Sequence, residues 1–147
     1  MFPTLETENL LGDKVVFPAD LPGDPTLVLV AFERGQQSDI DAWVTALDLK
    51  GDSPIAWLEL PVVGGKARFI KPLLDGWMRD GIPDLEAQAR VFTVYSSRKR
   101  FRRDVGMEKA RAILALVVQP DGVIVSAHQG PPTPASMAAT RTAFALQ

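Results

Sequence analysis

Few side chains in this 147-residue sequence could do chemistry, and their types narrow what that chemistry is. There is no cysteine, and one histidine, His128. A chain without thiols has no disulfide framework, no thiolate nucleophile and no thiolate metal site. A single imidazole cannot build the histidine clusters that hold zinc or iron, so no metal and no cofactor is expected. Ser126 lies two residues before His128 on the same strand face. A serine–histidine pair still needs an orienting acid and an oxyanion site, and no motif marks either. Asp39 and Asp41 are two apart on a helical stretch, where they do not face each other. Their charge fits the positive end of the helix dipole better than a metal site. The stretch GGK at 64–66 falls short of a phosphate loop, because Leu60 and Ala67 stand where that motif needs a glycine and a hydroxyl.

Two polar runs remain. RKRFRR at 98–103 has five basic residues in six. Phe101 and Val105, four apart, are expected to dock inward and leave Arg98, Lys99, Arg100, Arg102 and Arg103 splayed over the solvent side. The plain reading is a solvated helix face. The functional reading is an anionic partner, such as lipid headgroups or an acidic protein surface. Nucleic acid is the weakest of these, since only Tyr95 and Phe101 are aromatic nearby. The second run, ERGQQ at 33–37, lies between an apolar strand and a helix. The charge is also uneven: residues 1–59 carry a net −8 and residues 60–147 a net +6, a dipolar pattern that could steer a charged partner.

The elements that position these groups follow from periodicity. Lys14–Pro18 reads as a short strand. Thr26–Phe32 is apolar almost throughout, as in a strand covered on both faces. Ser38 is expected to cap the next helix, with Ile40, Trp43, Val44 and Leu47 along its buried face. Ile55–Val63 is the next strand, and a helix is expected over residues 69–78. A polar piece at Asp84–Gln88 leads into a strand at Arg90–Tyr95, and Ser97 caps the basic helix. Ile113–Gln119 and Val123–His128 form a hairpin around Pro120-Asp121-Gly122. The last helix spans about Pro134–Leu146, with Met137, Thr140, Ala143 and Phe144 along one side. Trp43, Trp57 and Trp77 fall on apolar faces and are expected in the core, Trp77 becoming an interface anchor if its helix is exposed. Strands alternating with helices imply a single α/β domain over residues 1–147: a three-layer sandwich on a mixed sheet, with parallel central strands and an antiparallel C-terminal hairpin.

This order resembles the thioredoxin-like fold. Thr26–Trp43 is similar to the strand, active-site turn and helix of peroxiredoxins and other thiol oxidoreductases. LALVVQPDGVIVSAHQG at 114–130 resembles their C-terminal hairpin, and VYSSRKRFRRDVGM at 94–107 resembles the segment before it. A narrower likeness, carried by Phe32, Gly35, Gln36 and Trp43, is to the thioredoxin-like family of mitochondrial ATP synthase assembly factors and their bacterial relatives. Aligned on Phe32, Gln37 and Ile40 fall at or near the two cysteine positions of the redox members. Those members also carry a cis-proline before the strand equivalent to Ile113–Gln119, whereas Lys109–Ala112 contains no proline. Disulfide exchange and thiol peroxidase activity are therefore excluded by chemistry.

The resemblance implies that residues 33–37 sit beside the 108–112 loop, at the sheet end where relatives bind peptides or thiols. That would gather Glu33, Arg34, Gln36 and Gln37 near Lys109 and Arg111. The expected function is a non-redox, non-enzymatic domain that binds or helps assemble a protein partner. Two alternatives stay open: a small-molecule protein or enzyme using a pocket at the same sheet end, and peripheral association with anionic membranes through residues 98–103. The N-terminal MFPTLETENLLGDK lacks the basic start and apolar core of a signal peptide, and no apolar run reaches the length of a membrane span. A soluble, cytoplasmic protein is the expectation, with an exported location open as well.

Overall fold

The computed structural model describes residues 1–64 and 85–144. Over these the chain runs β1 (Leu5–Glu8), β2 (Lys14–Phe17), β3 (Thr26–Ala31), a 3-10 turn (Arg34–Gln36), α1 (Gln37–Ala46) and β4 (Trp57–Pro61). It continues with α2 (Leu85–Ala89), α3 (Arg98–Asp104), β5 (Leu114–Val118), β6 (Ile124–Gln129) and α4 (Pro134–Ala143). The helix expected over 69–78, with Trp77, lies outside the described residues, as do residues 65 and 66 of the GGK stretch.

The main sheet has the order β4-β3-β5-β6. β3 and β4 are parallel, whereas β5 runs antiparallel to both β3 and β6. β3 and β5 read as unbroken apolar runs because both of their faces are covered. Alternation then divides their side chains. Leu27, Leu29, Ile113, Ala115 and Val117 pack with Ile40, Trp43 and Val44 of α1 and with Met137 of α4. Val28, Val30, Leu114, Leu116 and Val118 pack with Phe2, Phe17, Phe92 and Phe101 on the other face. Helices thus cover one face, and α3 with the N-terminal segment covers the other, giving three layers around one sheet.

Several local features differ from the sequence expectations. The polar LETE segment, which has no strand pattern of its own, forms β1 and pairs antiparallel with β2 from Leu5↔Phe17 to Glu8↔Lys14. Asn9 closes that hairpin, its Oδ1 accepting from the Leu11 and Asp13 amides while its Nδ2 donates to Ala89 O. The strand expected at Arg90–Tyr95 is reduced to isolated bridges, Val91 with Glu59 and Val94 with Val62, both parallel to β4. Phe92 is bridged instead by Asn9 from the other side. The polar piece before it is the short helix α2.

Ser38 does not cap α1. The chain enters through the 3-10 turn, the helix begins at Gln37, and Ser38 lies within its first turn. Ser97 does cap α3, accepting from the Arg100 amide at 3.2 Å. The β5–β6 turn uses Gly122 at φ +93°, a conformation that favours glycine, and Asp121 Oδ1 accepts from the Val123 amide at 3.0 Å.

Candidate functional site

β3 delivers the chain to the sheet end and Phe32 anchors it there, 2 % exposed. Beyond Phe32 the backbone leaves the ladder, so its amides need acceptors from elsewhere. Gln36 supplies one. Its Oε1 accepts from Phe32 N at 2.8 Å and from Glu33 N at 3.3 Å. The other end of the same amide donates to Arg111 O at 3.3 Å. One side chain therefore holds the 33–37 turn closed and joins it to the loop before β5.

Gln37 points elsewhere. Its Nε2 donates to Asp41 Oδ1, one turn along α1, and to Glu59 Oε1 on the neighbouring strand β4, both at 3.0 Å. Burial pushes the Glu59 carboxyl above its ordinary range, and the Asp41 charge adds to the rise. The Gln37 bond is the largest opposing influence, followed by Lys50 and Arg90. Ile40, one turn on, is 1 % exposed hydrocarbon. The helix N-terminus thus presents an amide held between two carboxylates and a buried alkyl group. Neither can act as a nucleophile.

The remaining expected site residues lie at the surface. Arg111 is exposed, and its Nη1 donates to Glu108 O at 3.3 Å and Ala110 O at 3.1 Å. Lys109, Arg34 and Glu33 are exposed. The structure brings Gln36 onto Arg111 and turns Gln37 away toward β4.

The basic helix corrects one expectation. Its five cations are not all splayed toward solvent. Phe101 is the anchor, 1 % exposed and packed edge-to-face with Phe2 and Phe32. Arg98 and Arg102, one turn apart, fold back over the sheet end. Arg98 donates to Val62 O at 3.2 Å and Val63 O at 3.4 Å, and Arg102 lies 4.1 Å above the Phe32 ring. Carbonyls at the end of β4 and the ring at the end of β3 attract these guanidiniums; Arg102 is half-buried, while Arg98, Lys99, Arg100 and Arg103 are exposed.

Glu59 and Asp41 were missed as site residues. A signal existed for Glu59, the lone charge in the apolar stretch IAWLELPVV, and for Asp41, one helical turn after Gln37. A groove crosses β4 between α1 and α2, lined by Ile40, Val44, Trp57, Glu59, Ala87 and Arg90.

His128 Nε2 is 3.0 Å from Ser126 Oγ, and its ring stacks on Trp43 at 6.5 Å. Trp43 Nε1 donates to Gly130 O, and Trp57 Nε1 donates to Leu49 O. These tryptophans are core residues with satisfied indoles, and His128 belongs to their packing.

No family model matches the sequence, and no curated protein matches it. Solved structures do match in fold. The exposed lipoprotein thioredoxin of Streptococcus pneumoniae strain TIGR4 superposes with a TM-score of 0.61 at 12% identity, covering 98% of this chain and 100% of that one. A thio-disulfide isomerase of Thermus thermophilus gives 0.57 at 11% identity, over 99% and 95%. A secreted disulfide oxidoreductase of Mycobacterium tuberculosis gives 0.55 at 10% identity, over 97% and 96%. The chain has the thioredoxin-like α/β fold, with a mixed sheet and an antiparallel hairpin, and it has no cysteine with which to perform thiol–disulfide exchange.

Proposed function

We propose that this chain is a non-redox thioredoxin-like domain that holds a protein partner at the end of its sheet, as an assembly or chaperone-type factor. The observation that carries the reading is the Gln37 amide. By the resemblance it falls at or near a cysteine position of the redox members, and it is bound to Asp41 and Glu59. A position committed to internal hydrogen bonds serves the architecture and leaves the surrounding polar surface free for contact. The likeness of Phe32, Gly35, Gln36 and Trp43 to the assembly-factor family supports an assembly role by analogy.

The test is partner capture from native lysate, repeated with Arg34, Gln37 and Arg111 changed to alanine. Loss of a specific partner is the expected result. An unchanged partner list would overturn the reading.

A second reading is a small-molecule site in the groove over β4, favoured by the raised Glu59 carboxyl close to Asp41. A ligand bound there would lose affinity on Glu59→Gln and leave the protein-capture result untouched.

A further inference from the structure

We propose that Arg98, Arg102 and Arg111 form a seat for a carboxylate of an acidic peptide segment, a specification that rests on the protein-binding reading above. The three come from two separate segments, α3 and the loop before β5, at one end of the sheet: Arg98 on the carbonyls that follow β4, Arg102 on the Phe32 ring that follows β3, and Arg111 in the loop that Gln36 joins to Phe32. In open α/β sheets this is the end at which ligands bind. Two of the three are already held in place: Arg98 by the Val62 and Val63 carbonyls, and Arg111 by the Glu108 and Ala110 carbonyls. Long cationic side chains fixed before binding lose less freedom when a ligand arrives.

Arg102 is the member without an ion-pair partner among the described residues. It lies flat on Phe32, and its Nε is buried with no acceptor. Burial makes its positive charge costly, the neighbouring Arg111 and Arg98 add to that cost, and Glu33 alone offsets it. A carboxylate arriving at this point supplies the missing negative charge and matches the planar fork of a guanidinium. The arrangement favours a peptide over a membrane. A flat lipid surface would meet the exposed cations Arg98, Lys99, Arg100, Arg103 and Arg111 alike, whereas Arg102, whose charge lacks a counter-ion among the described residues, is half-buried against Phe32, within reach of a single inserted carboxylate.

The experiment measures fluorescence anisotropy of a fluorescein-labelled oligo-glutamate peptide against the full chain, with an oligo-glutamine peptide as control. Arg111→Gln removes an exposed side chain, and Arg102→Lys keeps both charge and stem over Phe32, so both variants should fold, as circular dichroism would verify. Each is expected to weaken oligo-glutamate binding by about tenfold, the loss of one charge-assisted contact. Joint neutralisation of Lys99, Arg100 and Arg103 is expected to weaken it far less. Equal binding of oligo-glutamine, no binding at all, or an equal loss in the triple variant would each overturn the seat. Sedimentation with vesicles of phosphatidylcholine and phosphatidylglycerol, without peptide binding, would replace it with a membrane site. If the peptide fails while partner capture still depends on Arg34 and Gln37, the seat falls and the protein-binding reading stands.

Discussion

Gln37 and Glu59 come from different elements, the first turn of α1 and the middle of β4, and are joined by a 3.0 Å hydrogen bond from the amide to the carboxylate. The bond ties the first turn of the helix to the sheet.

A pH dependence follows from that pair. The Glu59 carboxyl has its proton affinity raised on folding, with burial as the main cause. The folded state therefore holds the proton at pH values where the unfolded chain has released it, and stability falls as pH rises from the unfolded value of 4.5 through the folded one. Glu59→Gln, which mimics the protonated form, is expected to have a higher melting temperature than the parent at neutral pH. The advantage should vanish below pH 4.5. Thermal melts of both proteins across this range check it, and a constant difference would count against the assignment.

Gln36 predicts a second, unequal pair. Gln36→Ala leaves the buried Phe32 amide without its acceptor and is expected to cost about 1–3 kcal/mol in denaturant unfolding. Gln36→Glu keeps an acceptor but removes the donor to Arg111 O, so its cost should be intermediate. Arg34→Ala, on the same turn and exposed, should stay within about 0.5 kcal/mol of the parent.

Within α3 the stability and charge roles separate. Phe101→Ala removes a ring that touches both Phe2 and Phe32 and is expected to destabilise by about 3–5 kcal/mol. Lys99→Ala and Arg103→Ala, both exposed, should leave the unfolding midpoint nearly unchanged. Equal effects from all three would contradict the packing described.

Layering was legible because burial on two faces writes itself as the unbroken run Thr26–Phe32 and burial on one face as spacing in α1. Ser97 and the Pro120-Asp121-Gly122 turn were legible because local hydrogen bonds need only local sequence. β1 was not, because LETE is held by pairing with β2 and by Asn9, whose partner Ala89 is eighty residues away. The direction of Gln37 was hidden for the same reason: its acceptor Glu59 lies on another strand. The contacts of Arg98 with carbonyls at the end of β4, and of Arg102 with the Phe32 ring, depend on distant groups that a helical wheel does not contain. Contacts distant along the chain decided each of these.

The Gln36 amide has a further consequence for anything that docks at this end of the sheet. It already occupies the Arg111 carbonyl, so an incoming backbone donor must compete with a tethered group that is never more than a rotation away. Displacing it would free the Phe32 and Glu33 amides at the same moment. Engagement there would trade one set of hydrogen bonds for another, leaving net affinity to the side chains that the visitor brings.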